Sequence, residues 1–272
     1  MSSTRTPGVA PAEKPEASLL IDERRQLIRD QVQAQGRVTV EELAERFGIS
    51  VVTIRSDLNA LASSGALMRT HGGALAHRDS EEVPISVKQK LRHEQKVRIA
   101  VEAAKLIKDG ETIMLDSGST TEEIAKQIRG MRLQSLNVIT NALNIAVLLA
   151  TVPGINVVMP GGLLRQNSYS LSGPQAVTAL QSLYADRLFL GVDSLDPDIG
   201  LMTPHLLEAQ LNAQMMKIAR QVVAVADASK LMKRNLSVIA PVEQLDILIT
   251  DDEADAAIVA ELRRRGVDVV LA

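Results

Sequence analysis

The chain has 272 residues, of which 46% are hydrophobic and 23% are charged, and its formal net charge is −3. This length and composition predict a soluble globular protein with one small domain, one domain of ordinary size and a large apolar core. There are no cysteines, the four histidines show no metal-ligand spacing, and no signal or membrane-length apolar run is present, so we expect a cytoplasmic protein with neither metal nor cofactor.

The beginning of the chain is rich in Pro, Ser, Thr and Ala and poor in large apolar residues, which predicts a disordered tail over residues 1–18. After the tail, Ile21, Leu27, Ile28 and Val32 recur on one side of a helix predicted over 22–35. This helix opens a small domain that we place at residues 19–76.

Two short helices joined by a tight turn are predicted between Arg37 and Asp57. Thr39 and Glu42 have the spacing of a capping box, and Gly48 stands where a helix-ending glycine is expected. Ser50 is the predicted N-cap of the second helix. The predicted buried residues of the two helices are Leu43, Ala44, Phe47, Ile54, Leu58 and Leu61. This layout is typical of a helix-turn-helix, although helix–Gly–helix corners also occur in proteins that never bind nucleic acid.

Two further features favour the DNA-binding interpretation. The outer side of the second helix is small or polar and carries no acid, and it is predicted to enter a DNA groove through Ser50, Val52, Thr53, Arg55, Ser56 and Asn59. The stretch from Leu67 to Ala74 predicts a β-hairpin wing with Arg69, His71 and Gly72 near its tip. Arginines also outnumber acids from Arg46 to Arg78, as phosphate contact requires.

The small domain is followed by a predicted linker over residues 77–93, where acidic residues and Pro84 break the helical periodicity. A helix is predicted over 88–107, and its first half is strongly basic. For this basic run we favour a solvated helix face over a direct DNA contact. The rest of the chain, residues 94–272, is the predicted effector domain.

Short apolar runs alternate with amphipathic helices from Thr112 onward, which predicts an α/β domain with a mainly parallel sheet covered by helices on both faces. The predicted strands are 112–116, 137–140, 156–159, 187–192, 221–226, 247–250 and 268–271. The predicted helices lie near 121–129, 143–150, 174–183, 208–220 and 254–265. Ligands of such sheets bind beyond the carboxyl ends of the strands.

Small, hydroxyl or charged residues follow five of these strands. The candidates at these strand ends are Asp116, Ser117, Gly118, Ser119, Thr120, Thr121, Asn141, Gly161, Gly162, Arg165, Asp193 and Lys230. Each of them alone is also explained by turn chemistry, and Thr120 with Glu123 has the spacing of an ordinary capping box. Taken together, a glycine-containing helix start and a nearby lysine predict a small anionic ligand.

At this point the sequence resembles a known family. Thr53-Ile54-Arg55-Ser56-Asp57-Leu58, then Gly65, then Arg69-Thr70-His71-Gly72-Gly73-Ala74, is similar to the signature of the DeoR family of bacterial transcriptional repressors. The resemblance covers the chain from about Arg24 to the C-terminus. It implies an N-terminal winged helix-turn-helix and a C-terminal sensor domain similar in fold to ribose-5-phosphate isomerase and glucosamine-6-phosphate deaminase.

The resemblance also implies roles for the strand-end residues. On that basis Ser117 to Thr121 hold the phosphate of a sugar phosphate, while Asn141, Gly161, Gly162 and Asp193 line the sugar. Lys230 would neutralise phosphate or carbonyl charge. Glu208 stands where the related isomerases keep a catalytic carboxylate. The stretch 191–196 looks closest to the amino-sugar (N-acetylgalactosamine) branch of these regulators.

Two functions of different classes are compatible with these residues. The first is a repressor that binds double-stranded operator DNA and is released by a phosphorylated sugar. The second is a sugar-phosphate isomerase or deaminase that uses Glu208 as general base and Lys230 as electrostatic partner. The winged helix in front favours the regulator, so we do not expect an enzyme. We also expect a homodimer or homotetramer, because paired half-sites require paired DNA-binding domains, and no membrane association.

Overall fold

The computed structural model describes residues 20–63, 66–75 and 83–272. Contacts within the chain divide it into two units, Met1–Glu81 and Glu82–Ala272, and each unit is described by itself. The predicted tail at 1–18, Gly65 of the family signature and residues 77–82 of the predicted linker lie outside the described residues.

The first unit contains three helices and a small sheet. The helices are α1 (Ile21–Gln35), α2 (Val40–Phe47) and α3 (Val51–Ser63). The strands are β1 (Arg37–Thr39), β2 (Met68–Arg69) and β3 (Gly73–Leu75), which pair antiparallel in the order β1-β3-β2. The predicted hairpin wing is therefore confirmed, and the strand β1 beside it was not predicted.

The local signals of the helix-turn-helix are confirmed. Thr39 and Glu42 form the capping box of α2, and Gly48 ends that helix in the left-handed conformation with φ 63°. Ser50 Oγ accepts a 3.1 Å hydrogen bond from the backbone N–H of Thr53, as an N-cap does. Among the predicted core residues of α2 and α3, only Ala44 is partly buried rather than fully buried.

One expectation for α1 is wrong. Ile21 is 55% exposed, whereas Ile28 and Val32 are buried and Leu27 is partly buried. Ile21 is the first residue of α1, and the face that packs on the other helices begins one turn later, at the buried Arg24.

Gly73 allows the wing to lie close to β1. A Cβ atom at Gly73 would overlap the carbonyl oxygen of Val38 and would lie 2.8 Å from the Cα of Thr39. Because both of these atoms belong to the backbone, they cannot move aside as a flexible side chain would. Only glycine permits this close approach of the two strands.

The second unit is built on a seven-stranded sheet in which every neighbouring pair of strands is parallel. Its strands are β4 (Thr112–Leu115), β5 (Leu136–Thr140), β6 (Ile155–Val158), β9 (Arg187–Gly191), β12 (Val222–Val225), β14 (Ile247–Thr250) and β15 (Asp268–Leu271). The order across the sheet is β15-β14-β12-β9-β4-β5-β6. All seven predicted strands are confirmed, with small shifts at their ends.

Helices cover both faces of this sheet. They are α4 (Ile85–Lys88), α5 (His93–Ala104), α6 (Ser119–Gly130), α7 (Leu143–Leu149), α8 (Pro174–Leu180), α9 (Leu206–Ile218) and α10 (Ala256–Arg264). Buried apolar residues form one core cluster around Leu188, Leu211 and Leu248 and another around Ile99, Ile124 and Val223. Among the described residues, every helix is too short or too polar to cross a lipid bilayer.

The predicted continuous helix over 88–107 is wrong. The chain forms the short helix α4, turns, and begins α5 at His93, and Arg92 at the turn has the left-handed φ of 51°. Residues 83–93, predicted to belong to the linker, include α4, and Ile85 on that helix is buried.

Two smaller β structures were not predicted. A hairpin pairs β7 (Leu163–Arg165) with β8 (Ser170–Ser172). A three-stranded antiparallel sheet joins β10 (Ser194–Asp196), β11 (Gly200–Thr203) and β13 (Ser237–Ala240).

The strand order determines where a ligand site is expected. From β4 the chain adds β5 and β6 on one side, and then returns to add β9 and β12 on the other side. The direction of strand addition therefore reverses between β4 and β9. In open parallel sheets the loops at such a reversal separate and leave a crevice beyond the carboxyl ends of the strands.

Candidate functional sites

A cavity lies at that reversal point. Its wall contains Ser117–Thr120 after β4, Val192 and Asp193 after β9, and Asp227, Ser229 and Lys230 after β12. The α4–α5 segment supplies Ile85, Lys88, Leu91, Arg92 and Lys96, and the turn of the β7–β8 hairpin supplies Asn167 and Ser168. Glu208 on α9 also lines it.

The N-terminus of α6 opens into this cavity. Gly118 is its N-cap, and among the described residues no side chain caps the helix. The predicted capping box of Thr120 and Glu123 is wrong, because Glu123 accepts a 2.7 Å hydrogen bond from Lys126 on the same helix instead. The first backbone N–H groups and the positive end of the helix dipole are thus directed at the site, which favours an anion.

Two lysines converge on one aspartate beside that helix. Lys88 Nζ donates a 2.8 Å hydrogen bond to Asp193 Oδ1, and Lys230 Nζ lies 4.0 Å from the same oxygen. Burial acts to raise the pKa of the Asp193 carboxyl, but Lys88 and Lys230 outweigh it and hold the pKa below its usual value. Burial lowers the pKa of Lys230, and Asp193 opposes that change.

A third lysine is almost fully buried in the wall. Lys96 Nζ donates hydrogen bonds to the backbone carbonyls of Lys88 and Leu91, so that it closes the turn between α4 and α5. Burial lowers the pKa of Lys96 to about 8, and the positive charges of Lys230 and Lys88 add to the lowering while Asp227 opposes it. The Lys96 ammonium therefore adds a positive charge to the cavity wall that also contains the N-terminus of α6.

Arg92 fixes the same turn to the edge of the sheet. Its guanidinium lies 3.0 Å from Asp227 after β12, 3.2 Å from Asp251 after β14 and 2.9 Å from Glu253. The α4–α5 segment is consequently bound to the carboxyl ends of two neighbouring strands.

The expectation of a solvated basic face is wrong for three of the basic residues. Lys88, Arg92 and Lys96 line the cavity, whereas Lys90 and Arg98 are exposed. The basic run was visible in the sequence, but the break of the helix at Arg92 changes which residues share a face. That break was not predictable from the helical periodicity.

Two further carboxylates belong to this region, Glu208 in the cavity wall and Asp116 directly after β4. Glu208 accepts a hydrogen bond from Arg165 of the β7–β8 hairpin, and its pKa is raised by burial and by Asp193, against the lowering effect of Arg165. Asp116 is completely buried, and its pKa is raised well above the usual value by burial and then by Glu208. The Asp116 carboxyl accepts a 3.4 Å hydrogen bond from Ser117 Oγ.

The predicted effector residues divide into two groups. Those that line the cavity are Ser117, Gly118, Ser119, Thr120, Asp193, Glu208 and Lys230. Asp116 and Thr121 support the loop from behind, since Thr121 Oγ1 donates a 3.0 Å hydrogen bond to the carbonyl of Gly118.

The remaining predicted residues are placed away from the cavity wall. Asn141 is buried and its Nδ2 donates to the carbonyl of Leu171. Gly161 and Gly162 precede β7, and a Cβ at Gly162 would lie 2.6 Å from the carbonyl oxygen of Ser172. Arg165 reaches the site through Glu208. A role in ligand binding stays a prediction for these residues.

The outer side of α3 is exposed as predicted for a DNA-reading helix. Ser50, Val52, Arg55, Ser56 and Asn59 are exposed, and Thr53 is partly exposed. Their contact with DNA stays a prediction.

The acid nearest to this surface is turned away from it. Asp57 is 2% exposed, accepts a 2.7 Å hydrogen bond from Arg24 Nε and a 2.9 Å hydrogen bond from Arg25 Nε, and is thus neutralised inside the unit. It therefore does not repel phosphate at the α3 surface.

The wing is connected to α3 through Arg69. Its Nε donates a 3.1 Å hydrogen bond to Asn59 Oδ1, and its NH1 group donates to the carbonyls of Thr70 and Gly73. His71 and Gly72 at the tip are exposed. The guanidinium thus holds the wing turn beside the predicted recognition helix.

Comparison with known proteins matches both units to one family. The DeoR-like helix-turn-helix domain matches residues 24–79, and the DeoR C terminal sensor domain matches residues 91–252. The Escherichia coli O157:H7 protein named "Putative aga operon transcriptional repressor" is 37% identical over 92% of this chain and 93% of its own length. The HTH-type transcriptional regulator GolR of Listeria innocua is 32% identical over 92% of this chain and 98% of its own length.

A solved structure is also similar in part. Ribose 5-phosphate isomerase A from Methanocaldococcus jannaschii aligns with 52% of this chain and 56% of its own chain, at 24% identity and a TM-score of 0.38.

Proposed function

The chain belongs to the DeoR family of transcriptional regulators, and we propose that it represses a sugar-utilisation operon and leaves its operator when a phosphorylated sugar binds the second unit. Ligand can release DNA only if it binds the non-DNA-binding conformation more tightly. The proposal therefore requires an anion site in the second unit and a DNA-reading surface in the first.

The single observation that carries the effector proposal is the composition of the cavity wall. An uncapped helix N-terminus, two lysines on Asp193 and the buried Lys96 lie around one cavity at the sheet reversal. Helix N-termini and lysine ammonium groups are the partners that phosphate favours. Asp193 and Glu208 offer acceptors for sugar hydroxyl groups in the same cavity.

The DNA proposal is supported by the exposed side of α3 and by the wing. Arg55 projects from the first turns of α3 and is exposed, so it is the best candidate for a guanine or phosphate contact. Paired half-sites, and hence a homodimer or homotetramer, belong to this proposal. So does a cytoplasmic location, because the regulator must reach the operator.

The chain is a DNA-binding regulator and not an enzyme. Its relatives at 31–37% identity include proteins named as transcriptional repressors and regulators. In the alternative isomerase interpretation Glu208 would be a free general base, but Arg165 holds its carboxylate.

For the sugar, we propose a phosphorylated amino sugar. The stretch 191–196 resembles the amino-sugar branch, and a relative is named for the aga operon. Leu207, directly before Glu208, stands where many members of the family have an acidic residue, and this difference bears on which sugar hydroxyl groups are recognised.

The test begins with selection of an operator from a random-sequence DNA pool by the full chain. A panel of hexosamine, hexose and pentose phosphates, with the matching unphosphorylated sugars, is then screened by thermal shift and by release of the selected DNA in gel shifts. We expect a phosphorylated sugar to raise the melting temperature and to release DNA, and its unphosphorylated form to do neither. Release by none of the phosphates would refute the effector proposal.

Two variants test operator binding and effector binding separately. Arg55→Ala should abolish operator shifts, since a base contact of this kind is worth about 1–3 kcal/mol, while sugar-phosphate binding persists. Lys230→Ala should do the opposite: it should bind the operator and remain on it at effector concentrations that release the wild type. Unchanged operator affinity in Arg55→Ala would count against the assignment of α3.

A further inference from the structure

The exposed residues of α3 share one side of the helix. We call this side the outer face of α3, and it consists of Val52, Arg55, Ser56 and Asn59. Their positions follow the i, i+3, i+4, i+7 spacing that places residues on one side of a helix. The other side of α3, which carries Ile54, Leu58 and Leu61, is buried in the core of the first unit. A DNA groove that receives α3 therefore meets the outer face.

Several polar groups on and beside the outer face already have partners within the first unit. Ser50 Oγ accepts a hydrogen bond from the N–H of Thr53 and lies 2.9 Å from Thr53 Oγ1. Asn59 Oδ1 accepts a hydrogen bond from Arg69 Nε, whereas an asparagine that reads adenine uses both its amide oxygen and its amide nitrogen. These groups stabilise the turn and the wing, which reduces what they can offer to a base edge.

Val52 is the apolar member of the outer face. Its side chain is 74% exposed, which is the highest exposed fraction among the large apolar residues described in the first unit. Valine favours a helix less than alanine does, and little burial compensates at this exposure, so folding gives no reason for a valine here. Val52 lies in the first turn of α3, which begins at Val51, and N-terminal residues of a recognition helix are the ones that contact base edges.

We propose that Val52 is a specificity-determining residue that contacts the C5-methyl group of a thymine in the operator. This inference rests on the proposed function, in which α3 enters the major groove. The thymine methyl is the apolar group that base edges present in that groove, where the other groups are hydrogen-bond donors and acceptors. A valine packed over cytosine N4 or guanine O6 would remove a polar group from water without giving it a hydrogen bond. Val52 therefore favours thymine and disfavours cytosine at its position.

The spacing of Val52 and Arg55 limits where this thymine lies. The two residues are three positions apart on one face, which corresponds to about 4.5 Å along the helix axis. One base-pair step of DNA is about 3.4 Å, so the two lengths differ by less than one step. We therefore expect the thymine within about two base pairs of the position that Arg55 contacts, once in each half-site.

The test removes the methyl group and leaves base pairing unchanged. Each thymine of the selected operator is replaced in turn by deoxyuridine, at the same position of both half-sites, and the affinity of the full chain is measured by gel shift at one fixed salt concentration. At one thymine within the expected window the wild type should lose roughly fourfold in affinity per half-site, as removal of one buried methyl group predicts. Val52→Ser should bind the thymine and deoxyuridine operators equally at that position.

The matched control is Val147→Ser. Val147 is a valine of similar exposure, 67%, on α7 of the second unit, and this variant should show the same loss on deoxyuridine operators as the wild type. Serine and valine have similar helix propensities, so Val52→Ser should also keep the wild-type melting temperature. The scan of the wild type decides the question even if Val52→Ser fails to fold, because it needs no variant protein.

Two results would overturn the thymine contact alone. One is equal affinity of the wild type for thymine and deoxyuridine at every position, and the other is a methyl effect that persists in a folded Val52→Ser protein. In both cases the full chain still binds its operator and Arg55→Ala still loses that binding, so the proposed function stands. Failure of the random-sequence selection to yield any operator would instead refute operator binding, and the thymine contact with it.

Discussion

Lys88 Nζ lies 2.8 Å from Asp193 Oδ1, so the first helix of the second unit is joined to the end of a central strand at the candidate effector site. Lys88 stands six residues after the first residue of that unit, Glu82. A ligand that competes for Lys88 would therefore act on the chain segment that is nearest in sequence to the DNA-binding unit. This relationship gives the first prediction.

Lys88→Met should weaken binding of the effector identified by the sugar-phosphate panel. A hydrogen bond to a charged group contributes about 1.5–3 kcal/mol, which corresponds to a loss of roughly tenfold or more in affinity. The matched control is Lys90→Met, two residues away and exposed, whose affinity should be unchanged. Calorimetric titration measures both, and equal affinities would remove Lys88 from the site.

Effector affinity should fall as the pH rises above about 8. Burial lowers the pKa of Lys96 to about 8, so the ammonium that favours an anion is lost above that pH. The phosphate itself is fully ionised there, since its second pKa is about 6, and does not contribute to the change. In Lys96→Met the affinity should be lower at neutral pH and should depend less on pH, and a wild-type affinity that is constant up to about pH 9 would contradict this assignment.

Folding stability should change with pH in the opposite direction to effector affinity. Because the folded-state pKa of Lys96 lies below its usual value, the charged group costs stability at pH values below about 8, and the cost is relieved as the pH rises toward the usual value. Urea unfolding of wild type and Lys96→Met across this range should show the difference in their free energies changing with pH. The effector and stability data thus test one pKa by two opposite trends.

Asp116→Asn should be tolerated in folding at neutral pH. Burial and Glu208 raise the pKa of the Asp116 carboxyl, so the stability that this group contributes is present at acid pH and is lost as the pH rises through the folded-state pKa. The amide has no such loss, so the stability of the variant relative to wild type, measured by urea unfolding, should increase as the pH rises above the usual carboxyl pKa. Asp252→Asn is the control, because Arg98 lowers the pKa of that exposed carboxyl. Above the usual carboxyl pKa this group is ionised in both the folded and the unfolded state, so the stability of this variant relative to wild type should not change with pH there. A variant that loses stability relative to wild type over this range would argue against the raised pKa.

Gly73→Ala should destabilise the DNA-binding unit, whereas Gly72→Ala should not. The added Cβ at Gly73 meets the backbone of Val38 and Thr39, but the Cβ at Gly72 has no atom within 4 Å. Strain against backbone atoms costs about 1–3 kcal/mol or more, and it should separate the wing from β1. Thermal unfolding of the two variants measures the difference, and equal melting temperatures would mean that the strands can move apart at little cost.

The parallel sheet was predictable because its strands are short apolar runs separated by helical periodicity. The Ser117–Thr120 loop was predictable because its glycine and hydroxyl residues stand between an apolar strand and a helical pattern. A loop in that position places the N-terminus of the helix at the carboxyl end of β4. Lys88 and Lys96 could not be assigned, because their direction depends on the left-handed turn at Arg92, and that turn is held by Asp227 and Asp251, far away in the sequence. Helical periodicity can indicate which residues share a face only while the helix continues. Here the helix is interrupted at a turn that long-range ion pairs stabilise.

The DNA-binding unit shows the same distinction. Capping box, helix-ending glycine and N-cap are local signals, and each was found at its predicted residue. The burial of Asp57 is not local, since it depends on Arg24 and Arg25 in a helix more than thirty residues earlier. In the sequence Asp57 was only an acid within a basic region.

The bonds of the α4–α5 segment have a practical consequence for exchanging DNA-binding units between regulators. The sequence suggested residue 94 as the start of the effector domain, but a chimaera joined there would replace Lys88 and Arg92 with foreign residues. It would also replace the buried Ile85, whose N–H donates a 2.7 Å hydrogen bond to the carbonyl of Asn167 in the hairpin turn. A graft joined before residue 83 keeps the cavity wall complete. Sensors transplanted at the earlier junction should therefore keep their ligand response, and those cut at the later one should lose it.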